Sequence, residues 1–187
     1  MINALLSLLF LTSTEFVGQE PKPNFVSDPS VIHIALVQSK DLPDDKGDSS
    51  DCGPYEAGSR ISFRVDAINT AQEPVRILIL EPFLQNRPEL FRDGDRMGYR
   101  DGLSKTLDEI DREPPRSTLQ TLQLAPAERK RIGYVELGDW YGPLEPGHYQ
   151  LSLKARLNLG QTWIESGAIT FDVTPKKRKT RTSPNRR

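Results

Sequence analysis

Two histidines, one cysteine and 26 carboxylates are the groups of this 187-residue chain that could move protons, attack a carbonyl or hold a metal. Their spacing supports none of these chemistries. His33 alternates with Ile32 and Ile34 as a strand residue does, and His148 sits in a Pro-Gly turn, a solvent-facing position for an imidazole. Cys52 follows Asp51, whose charge opposes thiolate formation, and a lone cysteine closes no intramolecular disulfide. A zinc centre takes three or four nitrogen or sulfur ligands, which two separated histidines and one cysteine do not supply. The acidic run Asp41 to Asp51 (DLPDDKGDSSD) lacks the spaced oxygen ligands of a calcium loop and reads as solvated charge. Asp93, Asp95 and Asp101 are neutralised by flanking arginines. No Gly-rich phosphate loop is present, and Glu165-Ser166-Gly167 shares only part of a nucleophile elbow. No carboxylate pair stands out for glycoside hydrolysis. The expectation is a non-enzyme with no catalytic residue, no metal site and no cofactor.

Two other groups of residues suit binding. Trp140, Tyr141 and Trp163, exposed together, could stack on sugar rings; alternatively they pack the end of a β domain. The C-terminal segment 175–187 carries seven basic residues and no acid, Lys176, Lys177, Arg178, Lys179 and Arg181 among them. Without it the chain holds 18 basic against 26 acidic residues, a charge of −8 that argues against specific nucleic-acid binding. The tail reads as disordered and suited to anionic envelope polymer or lipid headgroups. Its Lys-Lys-Arg-Lys run also matches a nuclear-import pattern, which has no meaning for an exported chain.

Export is the expectation at the other end. Ile2 to Leu11 (INALLSLLFL) has the length of a signal-peptide apolar region, is too short to span a bilayer, and precedes small and then Pro-rich polar residues. Residues 1–18 are therefore read as a signal peptide and 19–30 as a linker, placing the protein outside the cell or in the periplasm or envelope. An N-terminal helix docked on the fold is the alternative, although the run lacks a polar face.

The elements that would position these groups are strands. The 15 prolines and 13 glycines punctuate the chain at short intervals. Val31–Gln38, Arg60–Asn69, Val75–Leu80, Thr118–Leu124, Arg131–Leu137, Tyr149–Leu157 and Ala168–Val173 are β-branched or alternate with period two, and Trp163 opens a further short run. Val75–Leu80 is apolar enough to be central. No helix of ten residues is expected. Residues 92–116, with six basic and seven acidic residues and turns at Asp93-Gly94 and Asp101-Gly102, read as a long polar insertion, either functional or mobile. About seven strands over residues 31–174 point to an all-β, immunoglobulin-like antiparallel β-sandwich, with a small barrel as the alternative.

Leu144-Glu145-Pro146-Gly147-His148-Tyr149 resembles the corner entering a late strand of fibronectin type III and bacterial immunoglobulin-like modules. Pro146 presets φ, Gly147 is expected at positive φ in a type II turn, and Tyr149 buries its ring while its hydroxyl returns to nearby backbone. The resemblance covers about ten residues. The chain departs from immunoglobulins proper in lacking paired cysteines. Strand order and the Pro-Gly-x-Tyr turn are also similar to bacterial intracellular proteinase-inhibitor sandwiches, although no inhibitory residue can be matched. These readings converge on an exported binding module with a protein partner. A carbohydrate-binding module is the second reading and a β-sandwich hydrolase the third.

Overall fold

The computed structural model describes residues 29–39, 54–113, 120–157 and 162–176. The expected signal peptide, the acidic run, Cys52 and the tail beyond Lys176 lie outside them. After a turn of 3-10 helix at Pro29–Val31, the elements are β1 (Ile32–Ser39), β2 (Tyr55–Glu56), β3 (Ser62–Asn69), β4 (Val75–Ile79), α1 (Pro82–Gln85), β5 (Asn86–Arg92), β6 (Asp95–Arg96) and α2 (Leu103–Arg112). They continue with β7 (Gln120–Leu124), β8 (Arg129–Glu136), α3 (Leu137–Tyr141), β9 (Gly147–Arg156), β10 (Trp163–Glu165) and β11 (Ile169–Thr174).

The fold is β-rich. One sheet has the order β1-β3-β8, and a larger one runs β2-β11-β9-β5-β6, with β10 also pairing β9. A ribbon joins β4 to β7. Among the described residues all pairings are antiparallel except the short one between β2 and β11. The inward faces of the two larger sheets meet through Phe63 of β3 and Phe171 of β11, whose ring centroids are 5.2 Å apart. Tyr55 packs edge-on to Phe171 and Tyr149 stacks on it at 5.3 Å. Ile34, Val65, Leu90, Leu151 and Leu153 complete this core at 0 to 1% exposure. Period-two alternation produces it: the odd residues Tyr149 to Ala155 of β9 are buried, and the even ones face out.

Eleven strands stand among the described residues where about seven were expected. The main addition is β5, disguised by its sequence Asn-Arg-Pro-Glu-Leu-Phe-Arg. Proline removes a ladder donor and argues against a strand unless its nitrogen faces an open edge. Here β9 lies on one side of Pro88, and on the other the Pro88 carbonyl accepts the hydroxyls of Tyr99 (2.9 Å) and Tyr141 (2.7 Å). Met97 N–H likewise donates to Leu90 O across that edge. The segment 92–116 is not a loop where it is described. Asp93-Gly94, both at positive φ, turn β5 into β6, the geometry of a type I′ hairpin. Helix α2 then runs for ten residues, correcting the expectation of no helix that long. Leu103 and Leu107, one helical turn apart, are buried beneath it, while its charged residues mask the apolar stripe in the sequence. Strand β4 is not central either: among the described residues it pairs only with β7.

One buried amide turns the chain between sheets. Asn69, fully buried, donates through Nδ2 to Glu73 O (2.8 Å), Ala125 O (3.0 Å) and Leu124 O (3.2 Å), and its Oδ1 accepts Ala71 N–H at 2.9 Å. Its main chain exchanges bonds with Glu128 O and Ala127 N–H, at 3.0 Å each. There β3 gives way to β4 and β7 to β8, so the strand pair leaves one sheet for the ribbon without stranding its polar groups.

Candidate functional site

The outer face of β5, β9 and β10 collects the side chains that alternation excludes from the core. Arg87 faces Lys154, Glu89 faces Ser152 and Phe91 faces Gln150 across one ladder. Trp163 faces Arg156, and Glu165 faces Lys154, across the other. Lys154 Nζ reaches Glu89 at 3.2 Å and Glu165 at 3.5 Å, and Arg96 adds a 3.0 Å contact to Glu89. The hydrogen bond to Glu89 holds the Lys154 ammonium above its ordinary pKa.

Toward α2 the face becomes more enclosed. The guanidinium carbons of Arg87 and Arg156 lie 5.1 and 4.9 Å from the Trp163 ring centroid. Both cations reach the same oxygen of Asp111 on α2, at 2.7 and 3.3 Å. Arg87 also donates to Phe83 O and Asn86 O, and Arg156 to Leu84 O, so main-chain carbonyls around α1 fix both side chains.

The opposite corner of this sheet is the Leu-Glu-Pro-Gly turn. Tyr149 buries its ring, and its hydroxyl donates to Glu145 O at 2.7 Å, the expected tyrosine corner; burial holds its pKa up. The expected role of Gly147 is corrected: it opens β9 and is not in the left-handed region. A Cβ there would stand 2.9 Å from Arg92 Nε and 3.3 Å from Arg92 Cγ. Glycine is thus required by a close approach. Arg92 spans the turn, donating to Glu145 Oε2 (2.7 Å) and to Pro146 O (2.8 Å). Asp93 binds the backbone of His148 in both directions, and the His148 ring meets Asp172 at 2.8 Å on the surface.

The aromatic trio does not form a row on the surface. Trp140 is 2% exposed and packs between Phe83 (4.9 Å) and Tyr99 (5.6 Å), leaving no face for a sugar. Tyr141 is half-buried with its hydroxyl committed to Pro88 O, and burial pushes its pKa well up. Trp163 remains at the sheet face under its two arginines. Of the expected tail contacts, Lys176 is described and exposed; Lys177, Arg178, Lys179 and Arg181 lie outside the described residues.

A groove of about 360 Å³ opens between Gly58, Arg60, Glu136, Gly138 and Pro143, with Arg60 and Glu136 paired at its rim. On the outer face of the three-stranded sheet, Asp66 is buried between Arg64 (3.0 Å) and Arg129 (2.6 Å) beside a bulge. Among the described residues no three His, Cys, Asp or Glu side chains converge as metal ligands, and no helix is long and apolar enough to cross a membrane.

Sequence reasoning missed Arg87, Asp111 and Glu89 because it missed the strand and helix that carry them. The alternation of Tyr149 to Leu157 did set Lys154 and Arg156 on the polar face.

No family model and no curated protein matches the chain. Among solved structures it is similar to the Pseudomonas fluorescens alkylpurine DNA glycosylase AlkC bound to DNA containing an abasic site analog, at 12% identity and a TM-score of 0.35 over 76% of this chain. The chain spans about 30% of the length of that structure. A likeness this distant carries no argument about fold or function.

Proposed function

We propose that this chain is an exported, non-enzymatic binding module of the immunoglobulin-like β-sandwich kind, and that it holds a protein partner on the outer face of β5, β9 and β10. The observation that carries this reading is the ordered display on that face: ladder-paired charges around Trp163, fixed by main-chain carbonyls and ion pairs. Residues held in one rotamer lose little entropy on association, the condition for specific recognition. Arginine and tryptophan are also the residue types that dominate binding energy at interfaces.

Two features support the fold assignment. The sheets β1-β3-β8 and β2-β11-β9-β5-β6 pack face to face, as an immunoglobulin-like sandwich would require, and the Tyr149 hydroxyl closes on Glu145 O at the entry to β9. Export rests on the apolar run of residues 2–11, and the basic tail is proposed to touch anionic envelope polymer or headgroups.

The test compares two surface variants of the full-length protein as baits for the envelope and culture-fluid proteins of its host. Lys154→Glu inverts a charge at the centre of the proposed face, and Arg131→Glu does so on the three-stranded sheet. A partner retained by wild type and Arg131→Glu but lost by Lys154→Glu supports the reading. Retention by Lys154→Glu with loss by Arg131→Glu refutes it.

A further inference from the structure

We infer that Arg87, Arg156 and Trp163 form a carboxylate-binding site, occupied in this structure by the chain's own Asp111, and that an acidic peptide segment of the partner takes the place of Asp111. The inference rests on the proposed binding face and names the chemistry recognised there.

Three observations lead to it. First, the charges do not balance. The side chains of Arg87 and Arg156 are only 12% and 13% exposed, and both lean on one oxygen of one carboxylate. Their other acceptors, Phe83 O, Asn86 O and Leu84 O, are neutral. A guanidinium withdrawn from water is stabilised only when well paired, and among the described residues these two cations share one anion. Among the described residues Arg156 Nε is moreover buried with no acceptor, an N–H that a second carboxylate oxygen would satisfy.

Second, the donors are fixed and the acceptor is loose. Backbone carbonyls and the Trp163 ring hold both guanidiniums in place before any ligand arrives. Asp111 is 42% exposed, so it can swing into water without disturbing the buried leucines of α2. Arginine's planar fork suits the two oxygens of a carboxylate, and Asp111 engages both cations through only one of its own.

Third, Asp111 stands in the last turn of α2, where the helix dipole disfavours a negative charge. It is held there against the preference of its own helix by the two arginines. Leaving would relieve that conflict, which lowers the cost of exchange for an incoming carboxylate.

The test uses the full chain and a tetraglutamate peptide, with tetraglutamine as control and inorganic phosphate as the competing anion. Binding is read at low salt by calorimetry and by the change in tryptophan emission, to which Trp163 beneath the arginines contributes while Trp140 is buried. Wild type should bind tetraglutamate weakly and tetraglutamine not at all. Asp111→Asn, which keeps the shape but removes the internal anion, should bind about tenfold more tightly. Arg156→Gln should lose at least tenfold and the emission change with it. Asp111→Asn binding no better than wild type, with an unchanged thermal midpoint, overturns the inference. Phosphate saturating the site below the peptide concentration also overturns it, because the ligand would then not be a carboxylate. Should Asp111→Asn fail to fold, persistence of the emission change in Arg156→Gln overturns the inference in its place. A protein partner retained equally by wild type and Arg156→Gln leaves the proposed binding face standing and removes only the carboxylate assignment.

Discussion

Replacing Asn69 with alanine should destabilise this protein strongly, because its side chain ties together the corner between the sheets. The amide is fully buried and makes four hydrogen bonds: three carbonyls accept from Nδ2, and Ala71 N–H donates to Oδ1. A net hydrogen bond contributes about 1 kcal/mol, and a buried group left without a partner costs about 1–3 kcal/mol. Only the Leu124 carbonyl is wholly buried, so water relieves part of the loss at the other three. The expected cost is about 3 kcal/mol, or a melting midpoint lower by roughly 6–12 °C for a chain of this size. Urea and thermal unfolding followed by circular dichroism measure it. Asn69→Asp sharpens the test, since a carboxylate keeps the acceptor for Ala71 but faces three carbonyl oxygens. It should be worse than alanine at neutral pH and recover as pH falls, because protonation restores a donor. A cost below about 1 kcal/mol for alanine, or an aspartate variant insensitive to pH, would refute the role of this amide at the corner.

Tyr149→Phe should cost about 1 kcal/mol, the value of the Glu145 hydrogen bond, with the ring stack on Phe171 kept; an unchanged urea midpoint would remove the tyrosine corner. Gly147→Val should cost about 1–2 kcal/mol by forcing Arg92 off Glu145 and Pro146, and less in an Arg92→Ala background. Equal costs in the two backgrounds would locate the strain elsewhere. Burial raises the phenol pKa of Tyr141, Tyr99 and Tyr149 above the ordinary value of 10.0, so the unfolded chain releases these protons first. Their contribution is intact below pH 10 and should fall as pH rises beyond it, more gently in Tyr141→Phe, as alkaline unfolding would record.

What the sequence disclosed was whatever repeats with period two. β1, β3, β8, β9 and β11 fall where alternation or β-branched runs put them, and Tyr149 closes its corner as its neighbours imply. Elements stabilised by tertiary partners stayed hidden. β5 contains a proline that is harmless only because Tyr99 and Tyr141 cover its free edge. α2 buries two leucines amid residues that are mostly charged or polar, a stripe too thin to read without the surface it covers. Gly147 meets a constraint that no local turn rule contains: the side chain of Arg92, on a different strand, and not a positive φ. The binding face was half legible, through Lys154 and Arg156. Its other half needed β5 and α2 to be placed beside them.

The most direct test of the proposed face is site-specific photo-crosslinking in the native host. A photoreactive residue at position 152, centred on the outer face between Glu89 and the β10 side, is compared with one at position 35 on the opposite sheet. A discrete adduct with one envelope or secreted protein from position 152, and none from position 35, is the expected result. Adducts from position 35 alone would contradict it and move recognition to the face around Asp66.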